Sequence, residues 1–128
     1  MSYVLTRLLE NTKFGEAEER TRKALGDAGF GVLTEIDVAA TMKKKIDKDM
    51  PAYKILGACN PNMAWEAIQL EPNIGAMLPC NVILRSVDGG TEVSAVDPVA
   101  SMAAVPNDEL HAVAGQVRDM LSKVVQAV

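Results

Sequence analysis

Along the last quarter of the chain, apolar residues fall on one face of a helix of 3.6 residues per turn: Leu110, Val113, Ala114, Val117, Leu121, Val124, Val125 and Val128. Pro106 opens this helix, and Asn107, Asp108 and Glu109 put negative charge and polarity at its positive end. So long an apolar stripe predicts a helix laid across a sheet. A second stripe, Phe14, Ala17, Thr21, Ala24, Leu25 and Ala28, predicts a helix whose outer face carries Glu16, Glu19, Arg20, Arg22 and Lys23. Asn11 or Thr12 has the side-chain oxygen suited to cap its start, and Gly29 ends it in the left-handed region.

Alternation of apolar and polar positions predicts strands over residues 2–9, 30–37, 52–59, 80–87 and 91–97. Two short helices fit between them. One covers residues 38–45 and ends before Pro51; the other covers 63–70, with Asn60 as N-cap, Pro61 at the first helical position and Ala64, Trp65 and Ile68 as its buried stripe. Pro72 and Gly75 break that second helix, and an irregular apolar loop follows Pro98 through Met102. A two-residue turn at Asp88-Gly89 joins the last two strands and sets Cys80 directly opposite Asp97, whereas a turn at Gly89-Gly90 leaves them diagonal neighbours. With strands grouped in the second half under an apolar C-terminal helix, the order predicts an α+β two-layer sandwich with a mainly antiparallel sheet.

Composition narrows the class of protein more than its chemistry. A chain of 128 residues with 48% hydrophobic and 23% charged residues fits one folded domain, 1–128. A formal charge of -4 argues against a nucleic-acid partner, because phosphate binding needs clustered Lys and Arg. The basic run Lys43-Lys44-Lys45 with Lys48 is offset by Asp47 and Asp49 and is expected as a solvated helix face. Neither a secretory leader nor a membrane span is legible, which points to the cytoplasm, where the two cysteines are expected as reduced thiols. Seven Met against two Phe suggest an adaptable core or surface.

The candidate chemistry gathers at two strand ends. If the last three strands form a meander, Cys59, Asn60, Cys80 and Asp97 converge at one edge, next to the start of a helix. The favoured expectation is a small-ligand pocket with Asn60, Asn81 and Asp97 as its few polar groups over an apolar floor that also holds Cys59 and Cys80. Two alternatives use the same residues: a thiol with reactivity tuned by the helix start, or a soft-metal site in which Met63, Met77 or Asp97 joins two thiolates. The cysteines lack C-x-x-C spacing, so no metal and no cofactor is assigned. His111, one position round from the long stripe, is expected to face solvent or a partner subunit. No nucleophile, base and orienting carboxylate can be assembled into a triad, Glu66 and Glu71 are candidate acids only if their helix tilts inward, and whether the chain is an enzyme stays open. Packing cysteines in a purely structural or partner-binding homodimer form the contrasting reading.

The segments Gly29-Phe30-Gly31-Val32-Leu33, Tyr53 through Pro61, Leu78-Pro79-Cys80-Asn81-Val82 and Asp97-Pro98, together with Ala64 and Gly75, resemble the family known as domain of unknown function 302. The resemblance spans nearly the whole chain. It implies a two-layer sandwich like half of the TATA-binding protein core, usually paired as a homodimer, and it implies no agreed activity.

Overall fold

Five antiparallel strands form an open sheet in the order β1-β5-β4-β3-β2 in a computed structural model that describes residues 2–128. The strands are β1 (Val4–Glu10), β2 (Gly31–Asp37), β3 (Tyr53–Cys59), β4 (Cys80–Val87) and β5 (Gly90–Val96). The helices are α1 (Phe14–Asp27), α2 (Val38–Ile46), α3 (Pro61–Leu70), α4 (Pro98–Ser101) and α5 (Asp108–Ala127), with a 3-10 turn over Pro72–Met77. The expected α+β architecture, with an antiparallel sheet under a long C-terminal helix, is the observed one.

Strand alternation sorts the sheet into two faces. Leu56, Val82, Leu84, Val93 and Ala95 are fully buried on one of them. Helix α5 closes that face with Leu110, Val113, Ala114, Val117, Leu121 and Val124, every one of them buried as its spacing requires. Helix α1 packs beside α5, burying Ala17, Thr21, Ala24 and Leu25. On the opposite face the Thr6 and Ser94 hydroxyls hydrogen-bond at 2.8 Å, within a broad depression of about 490 Å³ lined by Tyr3, Val4, Tyr53, Ile83 and Val96 among others.

The β4–β5 turn fixes the register. Val87 pairs with Gly90 and Val82 with Ala95, the pairing that a two-residue turn at Asp88-Gly89 sets. Gly89 has φ +90, a left-handed conformation that glycine adopts without strain. Gly90 answers to a different constraint: a Cβ there would overlap the Leu9 carbonyl, so the close approach of β1 needs a bare backbone.

Four local expectations are corrected by tertiary contacts. Lys13 occupies the N-cap position of α1 without a side-chain bond, and the Thr12 hydroxyl donates instead to the Glu10 carbonyl at 3.0 Å. The Asn11 N–H donates to the Gly89 carbonyl at 2.8 Å, and the Thr12 carbonyl accepts from the Thr91 hydroxyl at 2.9 Å, tying β1 to the hairpin. In α3, Trp65 is 69% and Ile68 41% exposed, while Ala67 is buried with Met63 and Leu70 packed against the core. The helix leans on α5 and the 3-10 turn rather than flat on the sheet, which turns a different stripe inward. The segment after Asp97 is a short helix rather than an irregular loop, and its end buries Met102. His111 is half-buried rather than turned fully to solvent: its Nε2 is buried and has no hydrogen-bond partner among the described residues.

Candidate functional site

The end of β3 and the start of β4 are neighbours in the sheet, with Ala58 paired to Cys80. Beyond that pair the chain leaves β3 into α3. Asn60 is extended, its side-chain oxygen accepts the Met63 N–H at 3.3 Å, and Pro61 takes the first helical turn, where its missing N–H is no loss. Helix α3 leans on α5 beyond the sheet end, and a cavity of about 350 Å³ lies between the two helices and the sheet. Its floor is Ala58 and Cys80, its walls include Met63, Ala64, Ala67 and Ile68 of α3 and Val113, Ala114 and Val117 of α5, and Phe30, Leu33, Leu78, Pro79 and Pro98 also line it.

Cys59, Asn60 and Cys80 all line this cavity. Asn81 does not: one residue further along β4 it turns to the opposite face and borders the depression there. Asp97 is buried behind the cavity and is not part of its lining. Its carboxylate accepts the Val99 N–H at 2.9 Å, capping α4, and accepts from Arg118 Nε of α5 at 3.0 Å. That pairing holds α4 and its Pro98 against α5, so Asp97 shapes the cavity wall without touching its contents.

The electrostatics of the lining are simple, because no charged side chain contributes to it. Lys54, on the strand that ends in Cys59, is paired with Glu18 and Glu35 at 2.8 Å each. Those hydrogen bonds, Glu18 first, raise the Lys54 pKa and hold the ammonium away from the thiols. Cys80 is 7% exposed. Burial, with a smaller contribution from neighbouring Cys59, pushes its thiol up to about 11, so it is neutral at pH 7. Cys59 is partly exposed, and both cysteines are free.

Sequence reasoning passed over Met102, which lines the cavity together with Met63, so that four lining residues carry sulfur. The run of apolar residues after Asp97 was the available signal, but only the capped turn of α4 brings Met102 to α5. Met77 is exposed and lies outside the lining, and neither Glu66 nor Glu71 reaches it. Among the described residues no group of three or more His, Cys, Asp or Glu is placed to hold a metal ion. Nor is any helix among them long and apolar enough to cross a membrane.

Fold and cavity together define an α+β protein with an apolar pocket between the end of an antiparallel sheet and two helices. The family model described as "Domain of unknown function DUF302" matches residues 5–128, and the chain belongs to that family. A solved structure similar to it is that of the uncharacterized conserved protein DUF302 from Bacillus stearothermophilus, 23% identical, covering 99% of this chain and 98% of that one with a TM-score of 0.92. At that identity the likeness speaks for the fold. No curated protein matches the chain.

Proposed function

We propose that the chain is a small-molecule-binding protein whose ligand occupies the cavity beside Cys59, Asn60 and Cys80. The observation that carries this reading is the cavity itself. Its volume of about 350 Å³ falls within the roughly 300–1,000 Å³ of ligand pockets, and its lining is almost wholly apolar. An open cavity of this size in a well-packed protein forgoes contact energy that filling it with side chains would supply. The two free thiols fit a reducing, cytoplasmic setting.

A neutral solvatochromic dye small enough for the cavity, such as 1-aminonaphthalene, reads out occupancy. Saturable, single-site fluorescence enhancement is expected, and Ala64→Phe should reduce it at least tenfold, because Ala64 lines the cavity from a partly exposed position where added volume points into the space. Enhancement that does not saturate, or that Ala64→Phe leaves unchanged in a variant that melts like the parent, counts against the reading.

For the sheet face opposite the helices we propose a second copy of this chain. Tyr3 is 73% exposed beside Val4, Ile83 and Val96 on that face, and β1 and β2 are sheet edges. Light scattering at micromolar concentration is expected to give twice the monomer mass; a monomer is the result against it.

A further inference from the structure

We infer that the cavity takes an uncharged, wholly apolar molecule the size of a fused two-ring hydrocarbon, which enters past Leu33 at a bulge in β2. The inference rests on the reading of the cavity as a binding site and adds the chemical class of its occupant and the way in.

The lining decides the class. No Lys, Arg, His, Asp or Glu belongs to it. Arg118, next to the lining Val117, is paired with Asp97, and Lys54, on the strand that leads to Ala58 and Cys59, is paired with Glu18 and Glu35. A carboxylate or ammonium entering the cavity would lose hydration with no counter-ion to replace it, a cost that shifts such groups to their neutral form or keeps them out. Neutral polar groups fare little better. Asn60 is the one side chain of the lining with a nitrogen or oxygen atom, and its Oδ1 is committed to the Met63 N–H at the start of α3. The backbones of Ala58 and Cys80 are paired with each other in the sheet, and burial keeps the Cys80 thiol protonated. An amide carried inside would give up its hydrogen bonds to water without replacement, whereas apolar surface gains from the same transfer.

The way in follows from an irregularity of β2. Val32 pairs with Ala58 and Thr34 with Gly57, so Leu33 is the extra residue of a β-bulge, without a partner on β3. A bulge re-aims the side chain it carries, and Leu33 lines the cavity while remaining 67% exposed. Ile68 of α3 likewise belongs both to the lining and to the surface. Residues with that double character stand where a cavity opens, so Leu33 and Ile68 form an apolar mouth. Size is set by volume: about 150 Å³ suffices for benzene, and a cavity of about 350 Å³ therefore takes a two-ring skeleton.

Displacement of bound 1-aminonaphthalene at pH 7.5 by probes built on one skeleton tests the class: 2-methylnaphthalene, 2-naphthamide, 2-naphthoate and 2-naphthylmethylammonium. The hydrocarbon is expected to act at concentrations at least about tenfold below either ion and about fivefold below the amide, whose polar group the lining leaves unsatisfied. Leu33→Lys changes an exposed side chain outside the ladder, so it should leave 2-methylnaphthalene within about twofold and improve 2-naphthoate about threefold, the range for an exposed ion pair. An ion or the amide that displaces the dye as well as the hydrocarbon does overturns the apolar class. An unchanged order of probes in a Leu33→Lys variant that melts like the parent overturns the mouth. The comparison of probes in the unmodified protein stands whether or not that variant folds, and dye binding sensitive to Ala64→Phe upholds the cavity as a site after either failure. A protein that takes up no dye and none of the probes loses both readings.

Discussion

Leu121→Ala is expected to destabilise the protein by about 2–5 kcal/mol, the range for removing a buried Leu side chain where the surroundings close only partly around the gap. Leu121 is fully buried near the middle of the α5 stripe. Helix α5 packs on β1, β5, α1, α3 and α4, so surrounding elements constrain how far it can shift to fill the space. Most of a helix's stability in a protein comes from such packing rather than from intrinsic propensity. Chemical denaturation compares the variant with the parent. A lower midpoint at unchanged slope is the expected result, and a midpoint within experimental error of the parent's would mean that the stripe is not the core contact it is described as.

The second large effect is expected at high pH and belongs to Cys80. Burial, reinforced by Cys59, raises its thiol to about 11 in the folded chain, against an ordinary value of about 8.5 when unfolded. A group whose folded pKa is raised keeps its full contribution below the unfolded pKa and loses it as pH rises toward the folded one. Stability should therefore fall between about pH 8.5 and 11, by roughly 3 kcal/mol from this residue. Raised Lys54 contributes a similar alkaline loss at higher pH, so the diagnostic is the difference between parent and Cys80→Ala: the variant should lack the lower-pH part of the decline. Alkylation at neutral pH gives the matching kinetic result. Iodoacetamide should modify Cys59 first, since the thiolate is the nucleophile and Cys80 is both buried and protonated. Cys80 reacting as fast as Cys59 in the folded protein would contradict the description of its surroundings and move thiol chemistry ahead of simple ligand binding.

These two residues also mark different levels of legibility. The role of Leu121 is written in the spacing of α5. That of Cys80 depends on α3, α4 and α5 meeting above the sheet, and no local pattern in the chain contains that meeting.

What the sequence by itself determined was whatever depends on short range. The 3.6-residue stripe specifies α5, because only one face of a helix can be buried on a sheet. Asp88-Gly89 specifies a tight hairpin, and a two-residue turn leaves one register, so the pairing of Val82 with Ala95 was readable. Asn60-Pro61 specifies the start of α3, since a capping oxygen followed by a residue lacking an N–H suits that place alone. Tertiary structure decided which neighbours each element has. Trp65 and Ile68 were apolar enough for a core, yet α3 turned Ala67 inward because it packs on α5 and the 3-10 turn. Asp97 stood next to the right residues in the register, but Arg118, 21 positions further on, and the turn of α4 claimed its carboxylate. Asn81 followed the pleat to the other face, and Met102 reached the cavity through a helix four residues long. A cavity is the space left by elements that are distant in sequence, and its lining is fixed only when all of them have packed.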